Sequence, residues 1–290
     1  MSAVPGSETT MSQADARNEA PPDSRPLLTL DSEDLARAYE ALSADRQFRS
    51  GKLLVEKLGI AAGEAVLDVG CGTGLLAEHI AGLVGPTGRV LGIDPLPLRI
   101  EIARARARAN LGFAVGDAYA LDAIGDGSFD VVCLNAVFHW LPEKLGPLRS
   151  FARILPSGGR LGLSSSLPDR QSRLQEVAGE VLAEAPFRDH LRAGRTLVYR
   201  VTEAELREML PATGFEIASL EVMETTQRFD SAEAAIRYSE ASSFGNFLGR
   251  LPEALRAAAR NEIRLRLDSR TGGAGMIRQG HRLVAIARKA

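Results

Sequence analysis

Val66-Leu67-Asp68-Val69-Gly70-Cys71-Gly72-Thr73-Gly74 is an apolar run that passes directly into three glycines at alternate positions. Val66, Leu67 and Val69 have the character of a strand buried on both faces. Leu75, Leu76, Ile80 and Leu83, after the glycines, recur at helical spacing. The order is therefore strand, tight turn, helix. Gly70, Gly72 and Gly74 admit positive φ and let the backbone approach a ligand that a Cβ would hold away. Such a loop suits a nucleotide-type cofactor; the competing explanation is a glycine-rich turn with no ligand.

Outward from this loop the pattern alternates. Arg89 to Asp94 reads as a second strand ending in an acid, and Pro95 leads into a helix through Ile100, Ile102 and Ala103. Phe113 to Asp117 gives a third strand and Phe129 to Asn135 a fourth. A helix from Leu145 to Leu155 and a strand from Arg160 to Ser164 follow, separated by Pro156-Ser157-Gly158-Gly159. Regular alternation of this kind predicts an α/β domain with a largely parallel sheet, helices on both faces, and the ligand at the carboxyl ends of the strands. Upstream, Leu35, Ala38, Tyr39 and Leu42 suggest a short helix, and Phe48, Leu53, Leu54 and Leu58 a second that Gly59 stops. Beyond residue 165 the alternation loosens: helices near 170–185 and 202–211, a strand from Phe215, a helical stretch 231–268 and a last strand 281–288.

Three acids carry the site. A dinucleotide fingerprint is G-x-G-x-x-G, and position 75, where its third glycine would fall, is Leu75. With Asp68 before a G-x-G-x-G turn, the run instead resembles motif I of the class I S-adenosylmethionine (SAM) dependent methyltransferases. A carboxylate there suits the ammonium of SAM's methionine part, which NAD lacks. The resemblance implies that Gly70, Cys71, Gly72, Thr73 and Gly74 cradle the cofactor. It also implies that Asp94, followed by Pro95, binds the ribose, and that Asp117 and the amide of Ala118 read the adenine. The segment Asn135-Ala136-Val137-Phe138-His139-Trp140 is similar to the post-strand motif of the ubiquinone/menaquinone C-methyltransferase, biotin-pathway and trans-aconitate methyltransferase group. That resemblance spans roughly residues 35 to 165 and places Asn135 beside the methionine moiety. Tyr39 and Gln47 to Gly51 resemble the family's amino-terminal lid, although Tyr39 also suits a core position. The implied fold is Rossmann-like, a mostly parallel seven-stranded sheet whose last two strands form an antiparallel edge hairpin.

Size and composition allow one domain with an elaboration. The chain has 290 residues, 45% of them hydrophobic, a net charge of −2 and two cysteines. Residues 1–30, rich in Ser, Thr, Pro and acids, are expected to be a disordered tail, with 31–290 the catalytic domain. A near-neutral charge disfavours nucleic acid and anionic membranes, leaving a small-molecule or protein acceptor. The opening segment has no signal-like apolar core, which points to a cytoplasmic protein. Cys71 and Cys133 offer neither a disulfide framework nor a thiolate metal site, so no metal is expected.

Residues 229–275 interrupt the implied hairpin and contain Tyr238, Phe244, Phe247 and Leu248. They read either as a helical cap over an acceptor pocket or as a helical pair on the sheet that touches no substrate. Phe138, Trp140, Tyr238 and Phe244, if they converge, would favour a planar or apolar substrate. His139 is the candidate base, since neutral imidazole accepts a proton near pH 7, and the alternative is a local hydrogen bond beside Trp140. Arg99, Arg104, Arg106 and Arg108 read as a solvated helix face, and His79, His190 and His281 as structural or exposed. The activity implied is methyl transfer from SAM to a small metabolite by direct in-line displacement. The alternatives are an NAD-type Rossmann oxidoreductase and a SAM-binding protein without catalysis.

Overall fold

The computed structural model describes residues 28–167, 172–191, 198–272 and 275–290. The expected tail therefore falls mostly outside the described residues, while Leu28–Leu30 forms a 3-10 turn. Helix α1 (Glu33–Tyr39) runs through a π-turn at Glu40–Ala44 into α2 (Asp45–Leu58), so the two helices read from the sequence are one continuous helical run. Ser32 caps α1 by accepting the Leu35 N–H, and Gly59, in the left-handed region, ends α2.

The core follows the predicted alternation: β1 (Ala65–Val69), α3 (Leu75–Val84), β2 (Arg89–Asp94), α4 (Pro97–Arg104), β3 (Leu111–Val115), β4 (Val131–Asn135), α5 (Leu145–Ile154) and β5 (Arg160–Ser166). Then come α6 (Arg173–Leu182), α7 (Glu203–Ala212), β6 (Phe215–Phe229), α8 (Ala232–Ser242), α9 (Glu253–Thr271) and β7 (Met276–Lys289). The seven strands lie in the order β3-β2-β1-β4-β5-β7-β6. Strands β1 to β5 are parallel, and β7 runs antiparallel between β5 and β6. The chain order reverses between β1 and β4, so the ends of β1 and β4 border the crevice in which such sheets bind ligands.

Strand β1 is buried on both faces, as its composition predicts. Leu67 and Val69 join a core with Leu134, Phe151 and Leu163, while Val66 faces the opposite core of Leu54, Ile80, Val84 and Cys133. Each such buried side chain stabilises the fold by about 1.5–3 kcal/mol. Gly51 lets α2 lie close to the sheet: a Cβ there would be 2.9 Å from the Asn135 amide nitrogen and 2.7 Å from Leu76.

The insertion forms two helices, α8 and α9, so the helical stretch read over 231–268 is interrupted. The break carries Phe244 (φ 43°) and Gly245 (φ 82°), both outside helical geometry. Val177 and Val181 of α6, Ala235 and Ile236 of α8, and Ile263 and Leu267 of α9 share a core of their own. The hairpin is also longer than the sequence suggests: β7 pairs with β6 from Met276 to Lys289, where alternation alone indicated 281–288.

Candidate functional site

Backbone hydrogen bonds tie the glycine loop to the end of β2. The N–H groups of Gly70 and Cys71 both donate to the Ile93 carbonyl, at 2.7 and 2.9 Å. The Gly72 N–H donates to Asp94 Oδ2 at 2.9 Å, and Oδ1 accepts from Leu96 at 3.0 Å. Gly70 has φ 72°, and a Cβ there would lie 2.2 Å from Val137. Asp94 therefore organises the loop from which it would also reach a ligand. Burial pushes its pKa up, an effect that the Arg99 guanidinium opposes.

Asp68 is 1% exposed, and its Oδ2 has no hydrogen-bond partner among the described residues. Burial, reinforced by Asp94, raises its pKa from 3.8 to about 7. A buried carboxylate oxygen without a donor is costly, and a cationic donor entering the site would remove that cost. Asp68 borders a small recess of about 30 Å³ with Tyr39, Gly70, Cys71, Thr73 and Asn135.

A cavity of about 1310 Å³ opens at the carboxyl ends of the strands. That exceeds the 300–1,000 Å³ or so usual for one small ligand and leaves room for two. Gly70, Gly72, Asp94, Pro95, Asp117 and Ala118 line one end. Asp117 lies two residues beyond β3 rather than within it, and its Oδ1 accepts the Tyr119 N–H at 2.7 Å. Tyr39 lies across the loop: a Cβ on Gly72 would be 3.1 Å from its hydroxyl. At the end of β4, Asn135 donates to the Gln47 carbonyl at 2.8 Å and accepts from Ser164 at 2.8 Å and Arg282 at 3.2 Å.

His139 and Trp140 line the other end, on a 3-10 turn (Phe138–Trp140). His139 Nδ1 is 3.5 Å from Ser165 Oγ, so the geometry holds both the local bond and access to the cavity. Trp140 meets Phe244 at 5.0 Å between ring centroids, and Tyr238 also lines this region. Of the four aromatic residues expected at the substrate, Trp140 and Phe244 are in contact, and Tyr238 lines the same cavity with its ring against Phe229.

Phe138 does not. It is fully buried in the main core, because a short 3-10 turn sends its ring inward while His139 and Trp140 border the cavity. Gly74 also lies away from the cavity. It precedes α3 and faces Phe113, which a Cβ would approach to 2.7 Å, so its role is helix-to-sheet packing. Thr73 turns its hydroxyl to Glu40. The Cys71 thiol is buried, which pushes its pKa well up and keeps it a thiol.

The arginines read as one solvated face divide. Arg99 is 5% exposed. Its guanidinium stacks 4.0 Å from the Tyr39 ring centroid, donates to the Ala241 carbonyl at 3.0 Å and lies 3.8 Å from Asp31. Arg106 is partly buried against Glu40 at 2.5 Å. Sequence spacing gives no sign of this because the partners, Asp31, Tyr39 and Ala241, come from distant segments. Lys144 was also missed: it is 3% exposed and donates to the Phe138 carbonyl at 2.6 Å and to that of Leu141, bracing the His139 turn. Burial lowers its pKa to about 7. His281, read as structural or exposed, lines the cavity from β7 together with Arg282, and Arg200 lines it from the segment before α7.

Among the described residues, no three His, Cys, Asp or Glu side chains are grouped to hold a metal ion, and no helix is long and apolar enough to cross a membrane.

Residues 67–163 match the family model described as "Methyltransferase domain". The demethylmenaquinone methyltransferase of Lactococcus lactis subsp. lactis is 34% identical over 131 residues, 42% of this chain and 52% of that protein. The aklanonic acid methyltransferase DauC of a Streptomyces species is 36% identical over 131 residues, covering 44% and 59% of the two chains. The chain thus spans about half the length of these curated relatives. Among solved structures, the [4+2]-cyclase SpnF superposes with a TM-score of 0.53 at 21% identity, covering 83% of this chain and 80% of that one. That likeness supports the fold and shows that the fold alone does not fix the chemistry.

Proposed function

We propose that this chain, whose residues 67–163 match the methyltransferase domain model, is a class I SAM-dependent enzyme that transfers the methyl group of SAM to a small-molecule acceptor. The observation that carries this reading is Asp68, a buried carboxylate with an unpartnered oxygen beside the glycine loop and on the same rim as Asp94 and Asp117. Asp68 would hold the ammonium, Asp94 the ribose hydroxyls, and Asp117 with the Ala118 amide the adenine. Asn135 would flank the methionine part, and Tyr39 would close over the loop. The names of both relatives denote small-molecule acceptors, which supports the same class here.

SAM held by these residues would supply a methyl group on a sulfonium, for which an in-line acceptor would exchange the S–CH3 bond for an acceptor–CH3 bond, the electron pair returning to sulfur. The protein's task is to align the acceptor and exclude water, a contribution of about 7–11 kcal/mol where the geometry is good. An acceptor that must lose a proton can pass it to His139, whose Nδ1 is set by Ser165. Helix α8 and the turn that follows it would cap the acceptor end, since Tyr238, Ser239 and Phe244 line the cavity.

Calorimetry with SAM, S-adenosylhomocysteine and NADH tests the reading. Adenosylhomocysteine should bind and Asp94→Ala should abolish binding. Binding of NADH alone would replace the proposal with an oxidoreductase.

A further inference from the structure

We infer that Lys144 is a positioning residue of the transfer site: its amine clamps both ends of the turn that presents His139 and Trp140 to the cavity, and Glu143 and Tyr119 tie that turn to the rim proposed for adenine. This deepens the methyl-transfer reading and rests on it.

Lys144 stands where a cation is unfavourable. It is the N-cap residue of α5, at the positive end of the helix dipole, and it is buried. A buried amine is costly unless its N–H groups find acceptors. The side chain finds them by turning away from α5. Its Nζ donates to the carbonyl of Phe138 at 2.6 Å and to that of Leu141, and lies 4.8 Å from the Phe138 ring centroid. Phe138 begins the 3-10 turn and Leu141 follows it, so one amine grips both ends. Burial lowers the pKa of Lys144 against the opposing pull of Glu143 and of Glu205 on α7, yet charged and neutral amine alike keep two N–H donors for the two carbonyls. The start of α5 is served separately: the Glu143 carboxylate accepts from the N–H groups of Leu145 at 2.6 Å and Gly146 at 2.9 Å.

Glu143 also ties the turn to the other end of the cavity. Its carbonyl accepts from the Tyr119 hydroxyl at 2.8 Å, and its N–H donates to the same oxygen at 3.3 Å. The Tyr119 N–H in turn donates to Asp117 Oδ1 at 2.7 Å. Asp117 is the proposed adenine reader, so consecutive bonds lead from that rim through Tyr119, Glu143 and Lys144 to the turn that carries His139. A three-residue 3-10 turn has few bonds of its own. Here the Trp140 N–H donates to Val137 at 2.8 Å and the Leu141 N–H to Phe138 at 3.3 Å. The turn is further held from outside where the His139 carbonyl accepts the Tyr199 N–H at 2.7 Å. Its geometry thus depends on bonds from other segments, and that dependence matters for transfer, because an alignment error of about 1 Å can cost about 10²-fold in rate.

The test is amide hydrogen exchange of the full chain, followed by NMR with and without saturating S-adenosylhomocysteine. Lys144→Met keeps an unbranched stem of similar volume and removes the donors. In that variant the Trp140 and Leu141 amides should exchange at least about tenfold faster, while those of Phe151 and Ile154 in α5 keep their rates. Uniform acceleration would make Lys144 a general support of the fold, and unchanged rates at Trp140 and Leu141 would remove the clamp; either result overturns the inference. Adenosylhomocysteine should slow exchange at Trp140 and Leu141 in the wild type. Tyr119→Phe, which keeps the N–H bond to Asp117 and removes the hydroxyl bonded to Glu143, should abolish that slowing. No slowing in the wild type, or slowing that survives in Tyr119→Phe, would overturn the inference even where Lys144→Met fails to fold. Absence of adenosylhomocysteine binding would instead overturn the methyl-transfer reading, while exchange in ligand-free Lys144→Met would still decide the clamp.

Discussion

Asp68→Asn is the most direct perturbation, because it keeps the shape of the side chain and removes its charge. In the ligand-free fold, burial raises Asp68 from 3.8 to about 7. Holding it ionised above that pH costs about 4 kcal/mol relative to the unfolded chain. Its pKa is higher in the fold, so the native state binds the extra proton between about pH 4 and pH 7, and this residue's contribution to stability falls as pH rises through that window. An ammonium placed beside Asp68 reverses the preference and favours the ionised carboxylate. With a pKa of about 7, roughly one tenth of the protein is ionised at this site at pH 6 and roughly nine tenths at pH 8. Adenosylhomocysteine affinity should therefore rise about tenfold from pH 6 to pH 8, with about one proton released per ligand bound at pH 6. Calorimetry in buffers of different ionisation enthalpy measures both quantities. In Asp68→Asn the affinity should be lower and flat over the same range. A wild-type affinity independent of pH, or the same slope in the variant, would refute the assignment of the ammonium to Asp68.

Gly70→Ala should lower the urea midpoint by an amount equivalent to about 2 kcal/mol or more, since its Cβ would lie 2.2 Å from Val137 at φ 72°; an unchanged midpoint would mean the loop relaxes freely. Arg99→Ala should cost about 3 kcal/mol in chemical denaturation, because it removes the bond to Ala241 and leaves Asp31 buried without its cation. It should also shift the fluorescence of Trp140, the single tryptophan, through Phe244, and a silent spectrum would separate Arg99 from the cap. His139→Ala should reduce turnover by about 10²–10⁴-fold with adenosylhomocysteine affinity nearly unchanged, and full turnover in the variant would remove His139 as a base.

The rim of acids and glycines proposed for the cofactor was legible in the sequence because its residues are local. Asp68, Gly70 and Gly72 belong to one strand-turn unit, and Asp94 and Asp117 fall at or just beyond strand ends, so periodicity alone brings them to one rim. Phe138 was misassigned because a 3-10 turn has no detectable period at that length, and one residue of register decides whether an aromatic faces core or cavity. Arg99 was misread for a different reason. Spacing along α4 reports only neighbours on that helix, whereas Asp31, Tyr39 and Ala241 bury it through tertiary packing. The break at Phe244-Gly245 likewise carries a signal in Gly245, but a single glycine does not distinguish a kink from a helix end.

The chain divides into a matched central third and two flanks, and the division explains where relatives stop being informative. The family match ends at residue 163, just before the three serines of β5. Asp68, Asp94, Asp117, Asn135 and His139 lie inside it. Arg46 lies before it, and Arg200, Tyr238, Phe244, Arg250 and Arg282 lie after it. Most residues proposed for the cofactor lie in the matched stretch, Tyr39 being the exception, whereas much of the remaining cavity lining comes from both flanks. A relative that is similar only over the matched stretch carries information about the first and little about the second. Experiments on acceptor choice therefore belong on the cavity-lining residues of the flanks, among them Arg282, whose guanidinium donates to Asn135 at 3.2 Å and ties a flank to the matched stretch.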